Sequence, residues 1–148
     1  MLFTKSPPQN PQREKVERRR VGLVASYQEK FLVRRIPAGE WHEGLFEFPS
    51  GPAGSPAVGA SKEAALLAKQ ADVRIKDPKC FAELNYVVTH HKVHLVVMRA
   101  HMAGVPARLP RDYHLLPLSE ISRLPLGSAQ TKLLKLLRAG DDLFAGES

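Results

Sequence analysis

Apolar residues recur at helical spacing in only two stretches of this chain, residues 61–71 and 128–139. The other apolar runs are short and close at Gly, Pro or charged turn residues, which is strand patterning. Val21–Ser26 and Lys30–Ile36 flank Tyr27–Glu29 and predict a hairpin; Pro37 and Gly39 then break the chain. Trp41–Phe48 is aromatic and partly alternating, reads as a third strand, and ends at Pro49-Ser50-Gly51. Gly51–Gly59 is loop. Ser61 predicts an N-cap, with Glu63 in the first turn and Ala64, Leu66, Leu67 and Ala71 at helical spacing. Phe81–Thr89 and Val93–His101 are two strand-length runs either side of His90–Lys92, Leu115–Leu118 makes a short last strand, and Ser119-Glu120 starts a helical turn. Ser128 caps a terminal helix whose apolar face is Leu133, Leu134, Leu136 and Leu137, and Gly140 stops it. Strands interrupted by two helices imply an α+β domain, a mixed β-sheet flanked by two main helices.

The 148 residues suit one domain, read as residues 20–140, with a basic, Pro-containing linker or tail over 1–19 and a C-terminal tail over 141–148. With 43% hydrophobic and 25% charged residues the chain can bury a core, which excludes a mostly disordered protein. It has neither an apolar run of roughly 18 residues nor the apolar core of a secretory signal, so no membrane partner is expected. The single cysteine, Cys80, excludes an internal disulfide framework and a cysteine-only metal or iron–sulfur site within the chain. A cytoplasmic location, nucleoid-associated if bacterial, is the simplest expectation. Of the net charge of +7, residues 1–20 carry +4. Such a leader strengthens nucleic-acid binding through counterion release, or is simply a solvated tail.

The segment Leu32-Val33-Arg34-Arg35, followed by Gly39, Trp41, Gly44, Leu45, Phe46, Phe48 and Pro49, resembles the Nudix (MutT-like) fold, where such a strand leads into a Phe-Pro-Gly-Gly turn. It is more similar to the C-terminal domain of the MutY adenine DNA glycosylases, which write L-x-x-R-x-x-x-G-x-W-x-G-L-W-x-F-P. Val88-Thr89-His90 resembles that family's F-S-H loop, and Leu124-Pro125-Leu126 through Lys132-Leu133-Leu134 resembles its closing L-P-x-P-x-x-K-L-L. The resemblance spans about residues 20–138 and implies a Nudix fold.

The Nudix box, G-x5-E-x7-R-E-U-x-E-E-x-G-U, clusters glutamates on one helix face because a hydrolytic Mg²⁺ site wants several carboxylate oxygens around a diphosphate. Counted from Gly51, its first glutamate falls on Ala57 and its later run on Ala65–Val73, with no glutamate position filled and Lys69 among them. A register shift of one or two residues supplies at most Glu63. Diphosphate hydrolysis by the usual route is not expected, so no cofactor, metal or catalytic residue is assigned. A hydrolase whose metal site is rebuilt from Glu40, Glu43, Glu47 and Glu63 is the alternative; a protein-interaction module on the same scaffold is another.

The resemblance implies a lesion-reading domain of base excision repair, non-catalytic by itself, whose partners are duplex DNA with 8-oxoguanine opposite adenine and a helical glycosylase domain in cis or in trans. 8-Oxoguanine turns the N7 acceptor into an N–H donor and adds a carbonyl at C8, which defeats ordinary guanine readout at N7. A hydroxyl can accept from N7–H and donate to O8. Thr89 occupies the family's serine position and keeps that hydroxyl, His90 keeps the histidine, and Val88 replaces the phenylalanine and loses its aromatic ring. The expected nucleic-acid-binding residues are Val88, Thr89, His90, His91, Lys92 and Arg34, with Arg35 and Arg99 as further basic candidates. Without the family likeness, Thr89 reads as a β-branched strand end that needs no ligand, and exposed basic residues as solvated. Trp41, Phe46 and Phe48 are expected to be packing residues. His90, His91 and His94 do not follow a zinc spacing.

Overall fold

Residues 21–26 are all buried, and that continuous run makes β1 (Val16–Tyr27) a strand covered on both faces. The structure, a computed structural model, describes residues 16–53 and 59–147, with side chains as far as residue 140. Val21, Leu23 and Ala25 pack with Ala64, Leu67 and Ala68 of α1 (Ala60–Gln70). Val24 turns to the other side, where it joins Leu133, Leu134 and Leu137 of α3 (Ser128–Glu147). The two-residue alternation of the strand thus builds two apolar layers from one sequence.

β1 runs parallel to β6 (His91–Gly104), in register from Val16 opposite His91 to Ser26 opposite His101. At its other end it turns through Gln28 and Glu29 into β2 (Lys30–Arg35). Both turn residues have positive φ, 51° and 65°, the two-residue hairpin geometry that matches strand twist. β5 (Arg74–Val88) pairs antiparallel with β6 across Thr89-His90. β3 (Phe46–Glu47) and β7 (Tyr113–Pro117) pair with β2, and β4 (Ser50–Pro52) pairs with β1. The result is a mixed seven-stranded sheet whose main path is β3-β2-β1-β6-β5, with the single-turn α2 (Leu118–Ile121) beside α3. This is the expected α+β architecture with two main helices.

Several boundaries differ from the sequence reading. β1 begins at Val16 rather than near Arg20, because residues 16–20 find backbone partners along β6 although the side chains of residues 17–20 are charged. The linker expected over residues 1–15 and the loop residues 54–58 lie outside the described residues. Trp41–Phe48 is not a strand: His42 and Gly44 take positive φ, 64° and 86°, and only Phe46–Glu47 pairs with β2. Gly59, not Ser61, occupies the N-cap of α1, with no side-chain cap bond. β5 reaches back to Arg74, with register shifts along its pairing with β6. Gly140 does not end α3, which continues to Glu147 through the expected tail; a helical glycine costs only about 1 kcal/mol against alanine.

Candidate functional site

A cleft of about 700 Å³ opens where four pieces of chain meet: the start of β1, the loop between β2 and β3, the end of β5 and the first turn of α3. Arg18 and Arg20 come from β1, on the same side as Val24 by strand alternation and therefore on the α3 face. Gln130 of α3 lines the same cleft.

The β2–β3 loop is pinched at its base. Ile36 N–H donates to the Leu45 carbonyl at 2.8 Å, and Gly44 N–H donates to the Ile36 carbonyl at 2.9 Å. Its tip carries Trp41, which is 44% exposed and lies 4.9 Å, centroid to centroid, from the His91 ring. The His90 and His91 ring centroids are 4.4 Å apart, with the planes tilted by 30°. Trp41 is therefore a wall of the cleft and not the packing residue its sequence context implied, whereas Phe48 is buried in the α3-side core and Phe46 packs against it. The His91 Nδ1 atom is sealed from solvent without a partner. Burial first, then the nearby His90 and Arg18, hold the His91 imidazole below its usual range, which keeps it neutral at pH 7.

Of the six residues expected to bind nucleic acid, Val88 and Thr89 line the cleft itself. Thr89 is the first residue of the β5–β6 turn and holds a φ of 57°, an unusual conformation for a β-branched residue. His90 completes the turn, and His91, the first residue of β6, lies against the Trp41 ring. Lys92 is exposed opposite Glu17, on the other face from Val93 and so turned from the cleft.

Arg34 has a different post. Its guanidinium donates to Glu47 Oε2 at 2.7 Å from Nη2 and 3.2 Å from Nε, and to Glu40 at 2.9 Å, with 15% of the side chain exposed. Two carboxylates occupy the donors a phosphate would need, so Arg34 acts as a brace between β2, β3 and the Trp41 loop. Arg35 is exposed, and the Arg99 guanidinium lies over the Phe81 and Phe31 rings. Glu47 also accepts from the Ser50 hydroxyl, which in turn accepts from Arg20. Burial raises the Glu47 pKa by more than Arg34, the strongest opposing group, lowers it. The sequence reading did not assign Gln130 a role. Its Oε1 accepts from Phe48 N–H at 3.0 Å, tying the first turn of α3 to the strand leading into β4.

The donor set does not fit a Nudix-type metal site. On α1 the only acid is Glu63, and among the described residues no three His, Cys, Asp or Glu side chains come together to hold an ion. Of the acids proposed for a rebuilt site, Glu40 and Glu47 are spent on Arg34. His94 is held by Asn85 and Glu83, away from His90 and His91. Among the described residues no helix is long and apolar enough to cross a membrane.

The sequence matches the family model described as NUDIX domain over residues 20–136. No curated protein sequence matches the chain. Among solved structures, a MutT protein from Methanosarcina mazei Go1 is 16% identical with a TM-score of 0.70, over 86% of this chain and 97% of that one. The Nudix domain of Shewanella oneidensis NrtR, solved with ADP ribose, is 19% identical with a TM-score of 0.66, over 88% and 92%. A Nudix hydrolase from Nitrosomonas europaea is 10% identical with a TM-score of 0.68, over 84% and 90%. At such identities the likeness is one of fold.

Proposed function

The chain belongs to the Nudix domain family, and we propose that it is a non-catalytic member, a reader of oxidised purine in duplex DNA of the MutY C-terminal type. The observation that carries this reading is the position of Thr89: a hydroxyl at the tip of a two-residue turn, on the rim of a cleft walled by Trp41 and by Arg18 and Arg20. An aromatic face and guanidinium groups beside one hydroxyl suit a base held against its own phosphate backbone. The hydroxyl accepts from N7–H and donates to O8, a pairing that guanine does not offer. Base removal belongs to a helical glycosylase domain, in cis or in trans, and this chain raises its discrimination of 8-oxoguanine opposite adenine.

A second reading, a hydrolase acting on a nucleoside diphosphate, draws on the Nudix hydrolase of like fold and on the ADP ribose held by the NrtR domain. Its difficulty is chemical, since α1 offers a single acid, Glu63, and Glu40 and Glu47 are already paired with Arg34.

The test is binding to duplexes with 8-oxoguanine or guanine opposite adenine, at two salt concentrations. The wild-type chain is expected to prefer the lesion. Thr89→Ala should lose about fivefold of that preference, on the order of 1 kcal/mol for one hydrogen bond, and Thr89→Ser should keep it. Equal, salt-sensitive binding to both duplexes would remove lesion reading, and release of phosphate from a nucleoside diphosphate with added Mg²⁺ would turn the assignment to the hydrolase.

A further inference from the structure

We infer that His91 is a positioning residue for Trp41: its neutral imidazole holds the indole in the wall of the cleft, and acid releases it. The inference rests on the reading of this cleft as the seat of a base, because Trp41 supplies the aromatic face of its wall.

Trp41 and His91 stand on different supports. The Trp41 loop is fixed at its backbone, by the Ile36–Leu45 pinch and by Gly39 N–H donating to the Glu43 carboxylate at 3.1 Å, but the indole itself is 44% exposed. Among the described residues the ring that meets it is His91, at 4.9 Å and 48°. His91 opens β6 with strand neighbours on both sides, Val16 of β1 and Val88 of β5. The bond from Val16 N–H to the His90 carbonyl, 3.0 Å, closes the same corner. The ring on a doubly paired strand is thus the anchor, and the ring on the loop is what it orients.

Packing alone does not call for a histidine here. The Nδ1 atom is sealed from solvent and has no hydrogen-bond partner, so that end of the ring offers nothing a phenyl ring would lack. What imidazole adds is a charge that changes near neutral pH. The groups around it oppose that charge. The turn brings His90, with ring centroids 4.4 Å apart, and β1 brings Arg18. Val88 is the apolar neighbour on β5, and Lys92, next along β6, faces away. On the Trp41 loop Glu40 is paired with Arg34, Glu43 accepts from Gly39 N–H, and His42 adds no negative charge. Protonation would make both ring nitrogens donors, one of them sealed without an acceptor. Burial first, then His90 and Arg18, accordingly hold the imidazole below its usual range. A depressed histidine supports the ordered wall above its ordinary value and withdraws that support as pH falls. The ring takes its proton by leaving its place against Trp41, and the indole loses what orients it.

Acrylamide quenching of Trp41 emission in the free full chain tests this, since the chain has no other tryptophan. As pH falls from about 8 to about 5, across the ordinary histidine range, the wild-type quenching constant should rise. His91→Phe, a ring with no proton to gain, should give a low constant throughout, and His91→Ala a high one at both ends. With the 8-oxoguanine duplex at the alkaline end, His91→Ala should lose about tenfold in affinity, the order of one base–aromatic stack. His91→Phe should restore it, and acid should weaken the wild type relative to His91→Phe. Quenching that ignores pH, or that changes alike in His91→Phe, overturns the inference. Better shielding of Trp41 in acid, the result of a cation–π contact with imidazolium, overturns it too. The quenching arm needs no DNA. A pH-dependent Trp41 with no preference for the lesion duplex would remove the reader and keep the positioning role, and lesion preference with a pH-independent Trp41 would do the opposite.

Discussion

Arg34→Met is expected to destabilise the fold by about 3 kcal/mol at neutral pH, a loss typical of breaking one half of a buried ion pair. The side chains of Arg34 and Glu47 are 15% and 9% exposed, and two hydrogen bonds join them. Removing the guanidinium leaves the Glu47 charge buried with only the Ser50 hydroxyl and the more distant Arg20 to support it. The pH dependence follows from the direction of the Glu47 shift. Its folded pKa is already above the unfolded value because burial outweighs Arg34, and the substitution raises it further. A raised pKa contributes stability that is present below the unfolded carboxylate value and is lost as pH rises through the folded one. Acidification should therefore shrink the deficit of the variant as Glu47 takes up a proton. Urea unfolding of both proteins across the acid range measures this directly; a deficit that is constant with pH would show that Glu47 is not the group left exposed to the loss. Glu40→Gln removes only the half-exposed partner and should cost a few tenths of a kcal/mol.

Leu133→Ala is expected to cost about 3 kcal/mol, the transfer of a buried leucine plus the cavity it leaves. Leu133 is 1% exposed and sits among Val24, Phe31, Phe48 and Leu95, the residues that seat α3 on the sheet. It is also three residues beyond Gln130, the side chain that ties α3 to Phe48. The cavity therefore loosens a wall of the cleft, and ligand binding should weaken together with stability. Leu136→Ala, on the exposed side of the same helix at 44%, should stay within about 0.5 kcal/mol of wild type. Similar thermal melts for the two variants would contradict the seating of α3 described above.

The fold was legible because its strongest signals are local. The apolar run of residues 21–26, the helical spacing at 64–71 and the leucine face of the terminal helix each bury one surface, and the order of those surfaces admits few architectures. The family likeness at Trp41–Pro49 then narrowed them to one. What was not legible lies where backbone pairing or a distant partner decides. The polar residues at the start of β1 become strand only because β6 lies alongside. Trp41 reads as packing until a loop with three residues of positive φ, Gly39, His42 and Gly44, turns it outward onto His91. Arg34 looks like an available cation on a strand, and its commitment to Glu47 depends on β2 pairing with β3. Gln130 carries no signal at all in its own neighbourhood: its significance comes from Phe48, 82 residues away.

Trp41 is the only tryptophan in the chain and stands in the wall of the cleft, so its fluorescence reports occupancy of the site without a label. The most direct measurement is a fluorescence titration with matched duplexes carrying 8-oxoguanine or guanine opposite adenine. The account predicts a saturable change of Trp41 emission at lower concentration with the lesion duplex, and loss of that difference in Thr89→Ala. The same titration curve for both duplexes, or binding that leaves Trp41 unchanged, would contradict recognition of the oxidised base at this cleft.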